Sequence, residues 1–265
     1  MGHTRNPLLA TLDGDQGRAV TCDDRRVLVI AGAGAGKTLV LTRRVAYLVR
    51  RGINPAAMLL LTFTRRAAAE MRERIEAMLG WEDAASVTVG TCHSVGLGIL
   101  RSHGYHLGYR PAKTGQSIVV YDDDDRCDML DVCRKECLAK VPQRECERFF
   151  SRWAATGEEV FESRDMERLW NQYQRRMKEA NAIDFAMILA YTRRIFAERP
   201  DVLAEYRLRW PYVFVDEFQD TDPLQYRLHM DLNPEYLFVV GDPRQLIYGW
   251  RGSSPEILRN FVAHE

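Results

Sequence analysis

Two pairs of neighbouring residues carry the chemistry most open to reading: Lys37-Thr38 and Asp216-Glu217. The first closes VLVIAGAGAGKT, residues 27–38, and the second follows the apolar run YVFV, residues 212–215. Lys37 has the charge and reach for the β- and γ-phosphates of a nucleotide, and a Thr38 hydroxyl can ligate Mg²⁺. Gly32, Gly34 and Gly36, interleaved with Ala33 and Ala35, allow a tight turn whose backbone N–H groups face a polyanion. Asp216 would stand at the carboxyl end of a strand and hold Mg²⁺ directly or through water, while Glu217 would polarise an attacking water. Together the pairs describe a site for a nucleoside triphosphate and its magnesium ion. Two bland readings compete with this. The strict phosphate-loop pattern wants glycine where Ala31 stands, and Asp-Glu after a strand can simply cap the next helix. Both motifs occurring in one chain favours the nucleotide site.

These side chains need elements to position them. Apolar runs at 27–31, 58–62, 87–91, 213–216 and 237–240 read as parallel core strands. A helix should start at Thr38 and stop at Gly52, adding partial positive charge where phosphates sit. Residues 65–79, RRAAAEMRERIEAML, form an amphipathic helix with Thr64 as its N-cap. Strands alternating with helices predict an α/β fold with a doubly wound parallel sheet. Residues 105 to about 180 show helical periods with charged faces and little strand signal, which predicts an all-helical insertion. The resulting division is 1–105 and 181–265 for the α/β domain and 106–180 for the insertion. The acidic run Asp122–Asp125 suits a helix start.

The chain has 265 residues, 46% hydrophobic and 28% charged, with 37 basic and 37 acidic residues. That is enough for one large or two modest domains, and a nucleic-acid partner would need a local basic surface. No apolar run reaches membrane-spanning length and no signal peptide precedes the first motif, so a cytoplasmic protein with no membrane partner is expected. Of six cysteines, Cys127, Cys133, Cys137 and Cys146 follow the spacing C-x₅-C-x₃-C-x₈-C. This fits neither common zinc spacing nor ferredoxin spacing, and thiols in a helical core are expected instead of a metal.

Seven ordered segments resemble the N-terminal half of UvrD/PcrA/Rep-type superfamily-one DNA helicases. They are LDGDQGRAV, AGAGAGKT, LLLTFTRRAAAEM, VGTCHS, NAIDFAMIL, VFVDEFQDTDPLQ and VVGDPRQLIYGWRGS. Departures are Cys92, where an aromatic is usual, and Leu39, where the family tends toward arginine. The resemblance implies a RecA-like P-loop fold and ATP-driven 3′ to 5′ movement on single-stranded DNA up to duplex junctions. It implies Gln16 at the adenine and the amide of Gln245 at the γ-phosphate. NAIDFAMIL resembles the segment that returns the chain from the insertion to the sheet. Phe63, Tyr248 and Trp250 would stack on bases, and Thr62, Thr64, Thr91, His93 and Arg251 would contact the phosphate backbone. It further implies a second RecA-like domain, in a longer chain or a partner, that completes the site. Because GDPRQ also resembles the nuclease-linked RecB/AddA branch, a non-unwinding DNA-binding ATPase of a nuclease or defence assembly is the alternative. A small P-loop kinase would explain neither GTCHS nor IYGWRG.

Overall fold

The computed structural model describes residues 7–111, 117–245 and 261. In chain order the elements begin with α1 (Gly14–Thr21), β1 (Arg26–Ile30), α2 (Lys37–Arg50), β2 (Met58–Leu61), α3 (Arg65–Leu79), α4 (Trp81–Ser86) and β3 (Thr88–Gly90). They continue with α5 (Cys92–His103), β4 (Val119–Tyr121), α6 (Asp123–Cys137), α7 (Gln143–Thr156), α8 (Arg164–Glu179), β5 (Ala182–Asp184) and α9 (Phe185–Glu198). The last are α10 (Pro200–Arg209), β6 (Tyr212–Val215), α11 (Pro223–Leu232) and β7 (Tyr236–Gly241). Two compact units emerge. One combines Met1–Cys92, Ala204–Asp222 and Leu232–Glu265, and the other His93–Leu203 with Pro223–Asp231. The division at His93 precedes the expected start of the insertion, and the second unit also keeps α9 and most of α11.

The first unit is built on a parallel five-stranded sheet in the order β1-β7-β6-β2-β3. All five apolar runs form its strands. Those of β2, β6 and β7 are almost wholly buried, and strands buried on both faces of a parallel sheet are near-continuously apolar. The strand before the phosphate loop is not buried as expected. Among the described residues β1 pairs with β7 alone, its side chains are half-buried, and Ile30 is 62% exposed. Helix α2 places Val40, Leu41, Val45 and Leu48 in a core with Phe214, Phe238 and Val240. Helix α3 adds Ala68, Met71 and Ile75 to the same core. Each large aliphatic side chain fully buried in this way contributes about 1.5–3 kcal/mol. Helix α3 spans the expected residues, and the Thr64 side chain accepts the Ala67 N–H at its start.

The second unit is mostly helical around an aromatic core. The rings of Trp153 and Trp170 lie 4.7 Å apart, and those of Phe150 and Trp170 5.6 Å apart edge to face. Asp122 caps α6 in a reciprocal box with Asp125, which accounts for the acidic run. The unit is not all-helical, however. β4 and β5 pair in parallel, Val119 with Ala182 through Tyr121 with Asp184, as a separate two-stranded sheet. Residues 182–184 thus do not return directly to the main sheet. Strands of three residues are too short to show a period in sequence. Buried Asp184 accepts from the Tyr173 hydroxyl at 2.7 Å and caps α9 through the Met187 N–H at 2.8 Å.

Candidate nucleotide site and nucleic-acid-binding residues

The residues expected at a nucleotide site all lie in the first unit, most of them at the carboxyl edge of its sheet. Hydrogen bonding continues one residue past the strands there. The Ala31 N–H donates to Gly241, Asp216 to Leu61 and Thr62 to Gly90, at 3.2, 2.9 and 3.0 Å. This fixes the bases of the loops that follow. In the loop Ala31–Gly36, Gly34 and Gly36 adopt positive φ, 73° and 78°, whereas Gly32 does not. An L side chain is strained in that region, so Gly32 is not equivalent to Gly34 and Gly36, although all three read alike in the sequence. Gly36 is the N-cap of α2 and offers no side-chain cap. The first-turn N–H groups of α2 therefore lack intrahelical partners and, with the helix dipole, favour an anion.

Lys37 is 7% exposed, and its ammonium lies 3.5 Å from Glu217 Oε2. The Thr38 hydroxyl donates to Asp216 Oδ2 at 3.1 Å. Asp216 Oδ1 is buried with no hydrogen-bond partner among the described residues. Burial first, and then the Glu217 charge, push the Asp216 carboxyl up to about 6. Gln16 completes a capping box with Asp13 and donates its Nε2 to the Ala35 carbonyl at 3.1 Å, so it already touches the loop. Four of the expected nucleotide-handling side chains, Lys37, Thr38, Asp216 and Glu217, thus meet in two direct contacts.

Strand β7 lies between β1 and β6, and its end joins the same site. The Gln245 side chain donates to Asp242 Oδ2 at 2.6 Å, and the Arg244 N–H donates to Asp242 Oδ1 at 3.0 Å. The Arg244 N–H, aided by Gln245 and Lys37, holds the Asp242 carboxyl below its usual range. Gln219, Asp220 and Asp242 were not singled out from sequence. Asp220 is buried, with its carboxyl raised to about 6 by burial and then by Glu217. The phrase DEFQD was the available signal, because its polar residues directly follow a buried strand.

Of the expected DNA-contacting residues, Thr62 and Thr91 follow the paired strands β2 and β3 and are both buried. The Thr62 hydroxyl has no hydrogen-bond partner among the described residues. Phe63 is half-buried, and Thr64 is exposed at the start of α3. Cys92, between Thr91 and His93, is buried, and burial pushes its thiol up to about 12. Within the second unit His93 stacks on Phe185, centroids 3.8 Å apart and planes at 12°. Phe185 is 54% exposed and was not singled out from sequence. Tyr248, Trp250 and Arg251 lie outside the described residues.

The sequence matches the family described as the UvrD/REP helicase N-terminal domain over residues 12–264. A probable DNA helicase II homolog from Mycoplasma capricolum is 32% identical over 96% of this chain and 37% of the relative. The ATP-dependent DNA helicase UvrD1 of Mycobacterium leprae is 33% identical over 96% of this chain and 36% of its own length. The ATP-dependent DNA helicase PcrA of Staphylococcus epidermidis is 32% identical over 97% and 36%. The chain thus spans little more than a third of the length of these curated relatives.

Proposed function

The chain belongs to the UvrD/REP helicase family, within that family's N-terminal domain, and from this premise we propose that it is a DNA-dependent ATPase motor domain of an ATP-dependent DNA helicase. The observation that carries the proposal is the pairing of Lys37 with Glu217 and of Thr38 with Asp216. One loop supplies the groups that bind phosphate, and the other supplies carboxylates suited to metal binding and proton abstraction.

The residues present fit Mg²⁺. Thr38 and Asp216 offer adjacent hard oxygens, and Asp216 Oδ1 is a buried acceptor with no donor among the described residues. Thr38 and Asp216 would hold the ion, which when bound neutralises phosphate charge and orients the phosphates for in-line attack. Lys37 would exchange Glu217 for the β- and γ-phosphates. The first turn of α2 would receive the phosphate oxygens. Glu217, released from Lys37, would accept the proton of the attacking water. Gln16 would contact adenine while keeping its hold on Ala35, and Gln245 would report the γ-phosphate to the segment that carries Tyr248, Trp250 and Arg251.

Single-stranded DNA is the proposed polymer substrate, with polarity 3′ to 5′. Phe63, Tyr248 and Trp250 are assigned to base stacking, and Thr62, Thr64, Thr91, His93 and Arg251 to phosphates. The described helices include none long and apolar enough to cross a membrane, and a cytoplasmic location is part of the proposal. So is a second RecA-like domain, in the same chain or a partner, completing the composite site. Hydrolysis of ATP by the 265-residue chain, measured with and without a single-stranded oligonucleotide and with and without Mg²⁺, tests the reading. Slow, Mg²⁺-dependent turnover that DNA stimulates and Lys37→Ala removes is expected. Turnover untouched by Lys37→Ala would refute the site.

A further inference from the structure

Gln219 is 1% exposed, and both ends of its amide are committed. Its Nε2 donates to Glu217 Oε2 at 2.8 Å, and its Oε1 accepts the Asp242 N–H at 2.9 Å. A carboxamide can give and accept in this way, whereas a carboxylate cannot donate and an aliphatic chain can do neither. The neighbouring backbone is shaped to admit it. A Cβ at Gly241 would fall 2.7 Å from Gln219 Oε1 and 3.3 Å from the Gln219 nitrogen. Gly241 is not among the glycines with positive φ. Its lack of a side chain therefore answers to the close approach of Gln219 and not to backbone conformation.

Glu217 itself sits at φ 50°, a left-handed conformation that a glutamate adopts only when its surroundings hold it. Two groups hold its Oε2: Lys37 at 3.5 Å and Gln219 at 2.8 Å. Lys37 is the group that a nucleotide would draw away. Gln219 would then be the remaining donor on that oxygen among the contacts described. Its other end is fastened to Asp242, whose carboxylate accepts from Gln245. The order Glu217, Gln219, Asp242, Gln245 is therefore a continuous hydrogen-bonded path from the end of β6 to the turn after β7.

We propose that Gln219 is the positioning residue for Glu217: it keeps the carboxylate aimed at the attacking water once Lys37 has moved to the phosphates, and Gly241 provides the space in which it does so. The proposal rests on the reading of Glu217 as the group that accepts the proton of water. It also makes the position of that carboxylate follow the turn that carries Gln245.

The test compares the wild-type chain with Gln219→Met, Gly241→Ala, Glu217→Gln and the double variant Glu217→Gln/Gln219→Met. Single-turnover hydrolysis of ATP by excess protein with oligo(dT) reads the chemical step. A fluorescent ATP analogue with Mg²⁺ reads nucleotide affinity. Gln219→Met and Gly241→Ala should each slow hydrolysis about tenfold or more and change affinity by less than about threefold. In the Glu217→Gln background, adding Gln219→Met should change the residual rate by less than about twofold, because the residue it positions is already disabled. A wild-type rate in Gln219→Met overturns the proposal. So does a loss in the double variant as large as in the single one, which would mark Gln219 as a strut for the fold. Should Gln219→Met fail to fold, Gly241→Ala decides, since it displaces the amide without deleting it, and a wild-type rate there overturns the proposal. Full turnover by Glu217→Gln would instead reject the base assignment and the positioning role together.

Discussion

The Thr38 hydroxyl donates to Asp216 Oδ2 at 3.1 Å, joining residues 178 positions apart in the chain. One belongs to the loop after β1, an edge strand among the described residues, and the other to the end of β6, with β7 between the two strands. The contact is therefore made by loops that converge above the sheet edge, where ligands bind in open parallel sheets. Beside it, the Lys37 ammonium lies 3.5 Å from Glu217 Oε2. Binding of a phosphate and a metal would replace both contacts with stronger ones.

Lys37→Ala removes the cation that faces Glu217 and the phosphates. Mg²⁺-ATP affinity should fall by about tenfold or more and hydrolysis should disappear. The melting midpoint should stay close to that of the wild type, because the Glu217 carboxylate that loses its partner is 34% exposed and can be solvated. Equilibrium binding and a thermal melt on the same preparation check both halves.

Asp216→Asn tests the electrostatics of the buried acid. Its folded-state carboxyl is raised from 3.8 to about 6, chiefly by burial and then by Glu217. The folded chain thus holds that proton more tightly than the unfolded chain. The stability this gives is complete below about pH 4 and is lost as pH rises through about 6. Ionised Asp216 then costs the folded chain up to about 3 kcal/mol at about pH 7. Asparagine keeps an acceptor for Thr38 without the charge. The variant should melt several degrees above wild type near pH 7, with the gap closing toward pH 4, and should lose Mg²⁺-dependent nucleotide binding. Melting curves across that range, with an unchanged gap as the contrary result, decide it.

Thr64 is asked to do two things. Its Oγ1 accepts the Ala67 N–H at 3.0 Å and starts α3, which leaves the hydroxyl hydrogen available to a DNA phosphate. Thr64→Ala should cost about 1 kcal/mol of stability and weaken single-stranded DNA binding. Thr64→Ser should restore both. Denaturant midpoints and fluorescence anisotropy with a labelled oligonucleotide separate the roles.

The five strands of the main sheet stood out in the sequence because buried parallel strands are apolar on both faces. Their order did not, since Val215 meets Val239 and Leu61 through pairings that no local pattern encodes. The half-exposed state of β1 was not legible either, because an apolar run alone does not say what covers its faces. Lys37, Thr38, Asp216 and Glu217 were legible because each residue type has a chemistry matched to its place after a strand. Gln219 was not. A glutamine four residues past β6 reads as loop filler until the register carries Gly241 and Asp242 to its side. Residues 119–121 and 182–184 escaped notice because three residues cannot display an alternation.

In the proposed function the carboxylate of Glu217 drives hydrolysis of a nucleotide held by Lys37 and Thr38. Glu217→Gln tests it most directly, because it keeps the shape of the side chain and removes its basicity. Mg²⁺-ATP affinity and single-turnover hydrolysis should be measured on the same protein with single-stranded DNA present. Affinity should stay within about threefold of wild type, and hydrolysis should slow by about 10²-fold or more. Hydrolysis at the wild-type rate would contradict it. So would a combined loss of nucleotide binding and stability, which would make Glu217 the opening residue of the turn Phe218–Asp220 and nothing more.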